Sequence, residues 1–347
     1  MVAHTFGGKG ARGQGGTKHD KDTNTPAPLL PRSNFGEVNG LSIHLLEPQV
    51  SCQPMTEHAP PRTSDRLMVL AAALLFSTGG AAVKMTSLTG PQVACTRAAI
   101  AAIALMVFLP RAWRGLNRRS VIVGCAYAAT TVSFALANKL TTAANAVFLQ
   151  SAAPLYILML GPIFLREPIR RRHLLFMAAL AIGMWMIVGG GQPQMATAPE
   201  PLKGNLLGIL TGVCWALTVI GLRWLGRDRA HEESATEVAA AVVAGNLIAS
   251  LVTLPAAMPI LGSTAVDWVA VSFLGIFQIA LAYVFLVRGI RRVGALEASL
   301  LVLLEPVLSP LWAWMIHGEE PTTLALFGGA IIVVATAVYT MWSEGVR

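Results

Sequence analysis

Glu305 stands directly before Pro306 inside a long apolar run, and Arg97 stands inside another. Ionisable groups at such positions cost about 3 kcal/mol on membrane-insertion scales, so by default they mark ion or substrate pathways. Three kinds of chemistry are open to Glu305. It can take up and release a proton, touch a substrate, or hydrogen-bond across helices and neutralise Arg97. Arg97 keeps its proton, so it can anchor an anionic substrate, pair with Glu305, or reach an interface. Glu297 lies two turns before Glu305, and Lys84 and Glu237 lie close enough to the ends of their runs to snorkel. Uncharged groups suited to a polar cavity are Asn145, Gln150, Ser151, Gln278, Tyr283 and Ser299, with Ser133, Asn246 and Thr78 as weaker candidates. Phe76, Tyr127, Tyr156 and Trp215 are candidate aromatic walls. Any one of these, taken alone, is more often a helix–helix hydrogen bond or an interface anchor than a substrate contact. Pro154 and Pro306 each remove a helical hydrogen bond and kink their helices. The freed carbonyls must face protein or a wet cavity.

Reaction chemistry is harder to find. The apolar runs contain no HExxH, no GxSxG and no paired acidic metal motif, and no GxxxxGK[ST] loop supports an ATP-driven pump. Cys52, Cys95, Cys125 and Cys214 share no short spacing, which argues against a zinc site or a disulfide framework. The sequence asks for no cofactor and no metal. A binding and carrying role fits better than an enzyme; a membrane-embedded enzyme or a non-transporting scaffold or sensor is the alternative.

These residues must be positioned by membrane helices. Of 347 residues 54% are hydrophobic and only 13% charged, half the charge of a soluble domain. That composition excludes disorder, a collagen-like fibre and an ordinary soluble enzyme for most of the chain. Spans read near 67–87, 91–109, 121–138, 143–164, 174–190, 204–224, 234–255, 268–287, 294–316 and 322–342. Gly204, Gly208 and Gly212 form a small-residue row on the sixth, a helix-packing feature. Residues 1–65 are rich in Gly, Pro, Thr, Asn and charge, and read as a disordered cytoplasmic tail. Met55, just before the first span, serves equally well as a start.

The net charge of +8 sits mainly in Arg clusters between spans, a pattern of cytoplasmic loops and not of nucleic-acid binding. One alternating set of loops holds fourteen Lys and Arg, including Arg111, Arg114, Arg118, Arg119 and Arg166. The other set holds Lys84, Lys139 and Lys203. This split places both termini in the cytoplasm.

The two halves repeat. Ala146, Leu149, Pro154 and Glu167 align with Ala298, Leu301, Pro306 and Glu319 at an offset of 152. Phe76 to Lys84 aligns with Trp215 to Arg223 at an offset of 139. The halves are 66–192, spans one to five, and 204–342, spans six to ten. An odd span count turns the second copy upside down, so the expected fold is an all-α integral membrane protein of ten transmembrane helices in two inverted five-helix repeats. Such repeats build secondary transporters with a midplane site.

Leu149-x4-Pro154 reaching Leu165-Arg166-Glu167, Leu301-x4-Pro306 reaching Gly318-Glu319, and the Phe76 and Trp215 helices resemble the drug/metabolite transporter superfamily, EamA type. The resemblance covers about residues 66–342. One departure is Arg166 before Glu167, where the family pattern has Gly. The resemblance implies a bacterial inner-membrane carrier of small metabolites or toxic compounds, often an exporter. It also implies a cavity lined by spans three, four, eight and nine, which favours Gln150 and Tyr283. The implied partners are a small-molecule substrate, the lipid bilayer and, as coupling ion, a proton.

Overall fold

The computed structural model describes residues 63–164, 171–225, 231–289, 293 and 295–344. Of the expected tail, residues 1–62 lie outside the described residues, and Thr63–Asp65 already belong to the first helix. Arg166, Glu167, Arg170, Arg227, Arg229, Arg291 and Arg292 also lie outside them.

All the named elements are helical. α1 (Thr63–Ser77) and α2 (Gly79–Lys84) form one segment interrupted at Thr78. α3 (Gly90–Phe108) runs into a 3-10 turn at Pro110–Gly115, followed by α4 (Arg118–Leu140). α5 (Ala143–Ser151) and α6 (Ala153–Phe164) are split at Ala152, two residues before Pro154. α7 (Arg171–Gly189), α8 (Pro201–Leu225) and α9 (His231–Ala257) follow. α10 (Ala265–Phe273) and α11 (Ala282–Gly289) are joined by a π-helical stretch, Leu274–Leu281. α12 (Ala295–Val302) and α13 (Leu304–His317) are split at Leu303, three residues before Pro306, and α14 (Thr323–Glu344) ends the fold.

Local sequence explains several ends. Thr89 and Gln92 form a capping box at α3, Asn117 caps α4 through Ser120, and Thr142 caps α5 through the amide of Asn145. Gly318, at φ 63°, stops α13 in a left-handed conformation that favours glycine. Both split helices break just upstream of a proline, whose missing N–H and ring remove the bond to the residue four earlier.

Among the described residues, nine helical stretches are long and apolar enough to cross a membrane; the apolar part of α7, His173–Gly189, is shorter. The chain is a multi-pass membrane protein. Leu175, Trp185, Val252 and Val269 are all at least 70% exposed, which suits side chains that face hydrocarbon. The interior is built from small residues, which let backbones come close. A Cβ on Gly204 would lie 2.5 Å from the Thr141 amide nitrogen, so α8 can cross the end of α4 only with glycine there. Gly208 and Gly212 continue that row against Leu149.

Contacts between the two halves follow a pattern. α4 packs on α8, and α1 on α11. α4 also packs on α9, and α3 on the π-helical stretch. α5 and α6 pack on α8, and α12 and α13 on α1. α3 meets α9, α7 meets α14, and α5 meets α13.

Candidate substrate cavity

The interrupted helices converge near the middle of the bundle. There a cavity of about 140 Å³ is lined by Phe76 of α1, Arg97 of α3, four residues of α4, Gln150 of α5 and Trp215 of α8. The remaining wall is Gln278 and Ile279 of the π-helical stretch, Tyr283 and Leu286 of α11, Val302 of α12 and Glu305 of α13. Of the residues singled out in the sequence, Glu305, Gln150, Tyr283, Gln278, Arg97 and Trp215 share this one cavity, with Phe76 and Tyr127 beside them.

Arg97 is 2% exposed. It donates from Nη2 to the Thr131 carbonyl at 2.6 Å and lies over the Phe134 ring, 5.6 Å from its centroid. Its Nε has no partner. It therefore does not reach an interface. Among the described residues it makes no ion pair either, so the Arg97–Glu305 bridge entertained from the sequence does not form directly. Glu305 sits in the first turn of α13, just past the break at Leu303. A helix start favours negative charge by about 0.3–1 kcal/mol in exposed cases. The Tyr283 ring bridges Phe76 and Tyr127 in edge-to-face contacts, at 5.4 and 5.7 Å between centroids.

The π-helical stretch carries Gln278. Such turns are frequent at functional sites because they re-aim side chains. Here the stretch presses on α3: a Cβ on Gly275 would lie 2.9 Å from the Arg97 carbonyl. Gln278 leaves its Oε1 unpartnered. A Cβ on Gly79 would come within 2.8 Å of Gln278 Nε2, and one on Gly80 within 2.8 Å of the Ala143 Cβ. The Ala143 Cβ cannot swing aside, so the second glycine of α2 is required by its neighbour, whereas the Gln278 amide beside Gly79 can shift.

Asn145 does not line the cavity. It is fully buried, and its Nδ2 donates at 3.1 Å to Asn205 Oδ1, which also accepts from Thr141 Oγ1 at 2.7 Å. This knot ties α5 to α8. Ser133 is likewise taken up by other groups, the Ala129 carbonyl and Thr211. Thr130, Thr131 and Phe134 line the cavity and were not singled out from the sequence. Thr130 bonds the Ala126 carbonyl one turn back, so in sequence it looks like any threonine buried in a helix.

The two ends of the bundle differ. Towards the Lys84 end, Lys84 pairs with Glu319 and donates to the carbonyls of Thr141 and Thr197, while Lys139 binds Thr86. Asp267 accepts from the amide and hydroxyl of Ser87. Lys84 is thus buried in an ion pair and does not snorkel. Glu237, 2% exposed, accepts from Asn117 Nδ2 instead of snorkelling. At the opposite end a hollow of about 680 Å³ is lined by Arg111, Arg114, Asn117, Glu237 and neighbouring residues.

Sequence and structure comparisons point the same way. The EamA-like transporter family matches the chain twice, over residues 65–189 and 202–341. The chain belongs to this family. A pseudopaline exporter of Pseudomonas aeruginosa is 25% identical over 287 residues, covering 80% of this chain and 96% of the relative. An uncharacterised transporter of Bacillus subtilis is 24% identical over 204 residues, covering 58% of this chain and 65% of that one. A solved crystal structure shares the fold at a TM-score of 0.56 and 21% identity, covering 82% of this chain and 99% of the other. The family and the relatives' names indicate a membrane transporter and not an enzyme.

Proposed function

We propose that the chain is a secondary transporter that exports a small metabolite or toxic compound across a bacterial inner membrane by alternating access. The observation that carries this reading is the cavity at the seam, which brings Arg97 and Glu305 together from opposite halves of the chain. The halves are 66–192 and 204–342, inverted five-span repeats, with α7 as the fifth crossing. Two observations support the repeat. The family match falls once in each half. The contacts also map onto themselves when spans one to five are exchanged with six to ten: α4–α8 with α1–α11, α5–α8 with α1–α13, and α3–α9, α7–α14 and α5–α13 each with itself.

In this reading the Arg-rich end is cytoplasmic, both termini are cytoplasmic, and the residues before α1 are a cytoplasmic tail. The sealed Lys84–Glu319 end faces out, and the hollow beside Arg111 is the cytoplasmic approach. Glu305 couples transport to a proton, taken up outside and released inside, with Pro306 letting its state bias the helix. Gln150, Gln278, Tyr283 and Trp215 orient the substrate; Asn145 supports the wall from behind.

Reconstituted vesicles test the coupling. Glu305→Gln should keep substrate–substrate exchange and lose transport driven by a pH gradient. Transport by the variant with an unchanged pH dependence would overturn proton coupling through Glu305.

A further inference from the structure

We propose that the hollow beside Arg111 seats an anionic phospholipid, its phosphate on Arg111 and Arg114 and one acyl chain along the end of α3. The hollow shares no lining residue with the cavity of Arg97 and Glu305. The assignment needs the membrane placement of the chain and not its transport; the transport reading supplies only the leaflet, the cytoplasmic one.

The local sequence builds a clamp. Pro110–Gly115 is a 3-10 turn, in which residues three apart lie on one side. Ala112 and Gly115 form its inner side. Ala112 is buried, and a Cβ on Gly115 would lie 2.5 Å from the Thr236 carbonyl oxygen of α9. Arg111 and Arg114, also three apart, are exposed and both line the hollow. Two guanidiniums therefore leave the same side of a turn that α9 holds in place.

The clamp lacks an anion. Neither arginine makes a hydrogen bond or an ion pair among the described residues. The lining contains one carboxylate, Glu237, which is buried and accepts from Asn117. A phosphate has oxygens enough for both planar forks, the geometry in which arginine binds this group best.

Depth decides what brings the phosphate. The apolar part of α3 ends at Phe108, three residues before Arg111, so the clamp stands at headgroup level. Trp113 of the same turn is exposed, and Trp224 carries Arg119 over its ring at 5.1 Å; such rings mark the membrane interface. Phe108, Leu109 and Val287 give the hollow an apolar wall. Val107 and Ile103, both exposed, continue the apolar surface along α3. A soluble phosphate compound has nothing to lay on that surface, whereas a phospholipid joins a phosphate to an acyl chain. About 680 Å³ gives room for a whole headgroup. A zwitterionic headgroup brings its own cation to the clamp and cancels part of the attraction. An anionic one does not, and basic pockets between helices on the cytoplasmic side recognise such headgroups. A lipid held here stands at the mouth of the cytoplasmic approach.

The test uses the full chain purified in detergent. Its unfolding temperature is measured with added dioleoyl phosphatidylglycerol, dioleoyl phosphatidylcholine, glycerol phosphate or inorganic phosphate; a ligand that binds only the folded state raises it. Phosphatidylglycerol should raise it by several degrees at a ratio where phosphatidylcholine, with the same chains, does not. The two soluble phosphates should leave it unchanged. The double variant Arg111→Gln, Arg114→Gln should lose most of the rise. A control with the same change in charge, Arg223→Gln with Arg288→Gln, alters exposed arginines outside the hollow and should keep it. Equal rises with the two lipids, or equal losses in the two double variants, would leave only a general attraction of charge and overturn the proposal. A rise with either soluble phosphate as large as that with phosphatidylglycerol would overturn it too, by making the occupant a soluble anion.

Discussion

Lys84 Nζ lies 3.1 Å from Glu319 Oε1, and both side chains are almost completely buried, 2% and 1% exposed. The pair ties the end of α2 to the turn after α13. Glu319 also accepts from the Ala143 amide at 3.0 Å, so the start of α5 joins the same knot. This is the arrangement Arg97 lacks: a buried cation with its carboxylate in place.

Breaking that pair should be costly. Removing one member of a buried pair strands the other, at about 3–5 kcal/mol, whereas replacing both is far milder. Lys84→Met and Glu319→Gln should each lower the unfolding temperature markedly, and the double variant should recover most of the loss. Additive losses in the double variant would mean the two side chains do not depend on each other.

Gly204→Ala should destabilise the helix bundle. Its added methyl would meet backbone atoms of Thr141 and Leu140 at 2.5 and 2.7 Å, which cannot step aside. A loss of about 1–3 kcal/mol is expected for such overpacking. The same change at Gly191, where a Cβ meets nothing within 4 Å but φ is 60°, should cost only backbone strain of about 1–2 kcal/mol. Thermal unfolding of the two variants distinguishes steric from conformational cost.

Topology can be read by labelling. A single cysteine at Gly318, in a variant otherwise free of cysteine, should react with an impermeant thiol reagent added outside intact cells; one at Leu116 should not. Reversed labelling would invert the orientation, and labelling at both positions would remove a crossing.

The tail should be dispensable. Residues before Met55 contain no sustained apolar run, so a chain starting there should insert at full yield. A large drop in membrane yield would give the tail a structural role.

Much of the helical layout was legible because an apolar run of twenty residues needs little tertiary context to be helical in a membrane. Pro154 and Pro306 likewise announce the breaks at Ala152 and Leu303, since proline acts on its own helix. Charged and aromatic residues in apolar runs stood out by their cost, and six of those singled out meet in one cavity. What stayed hidden depends on partners. Asn145 faces Asn205 whereas Gln150 faces the cavity, a difference that sequence spacing does not reveal. That Lys84 lies within snorkelling reach of a helix end is visible in the sequence, whereas the Glu319 that covers it, far along the chain, is not. The π-helical turn that re-aims Gln278 has no local signature beyond ordinary apolar residues and Gly275.

The most direct test of the central claim, that the cavity holding Arg97 and Glu305 exports a small metabolite, is a comparison of intracellular and external metabolites in cells lacking the gene. The cells carry, in turn, no copy, the native chain, or the Glu305→Gln chain at equal membrane abundance. At least one small compound should build up inside cells without the protein, leave when the native chain returns, and stay inside with Glu305→Gln. Identical profiles with and without the native chain would contradict transport. Full restoration by Glu305→Gln would remove the cavity carboxylate from the mechanism.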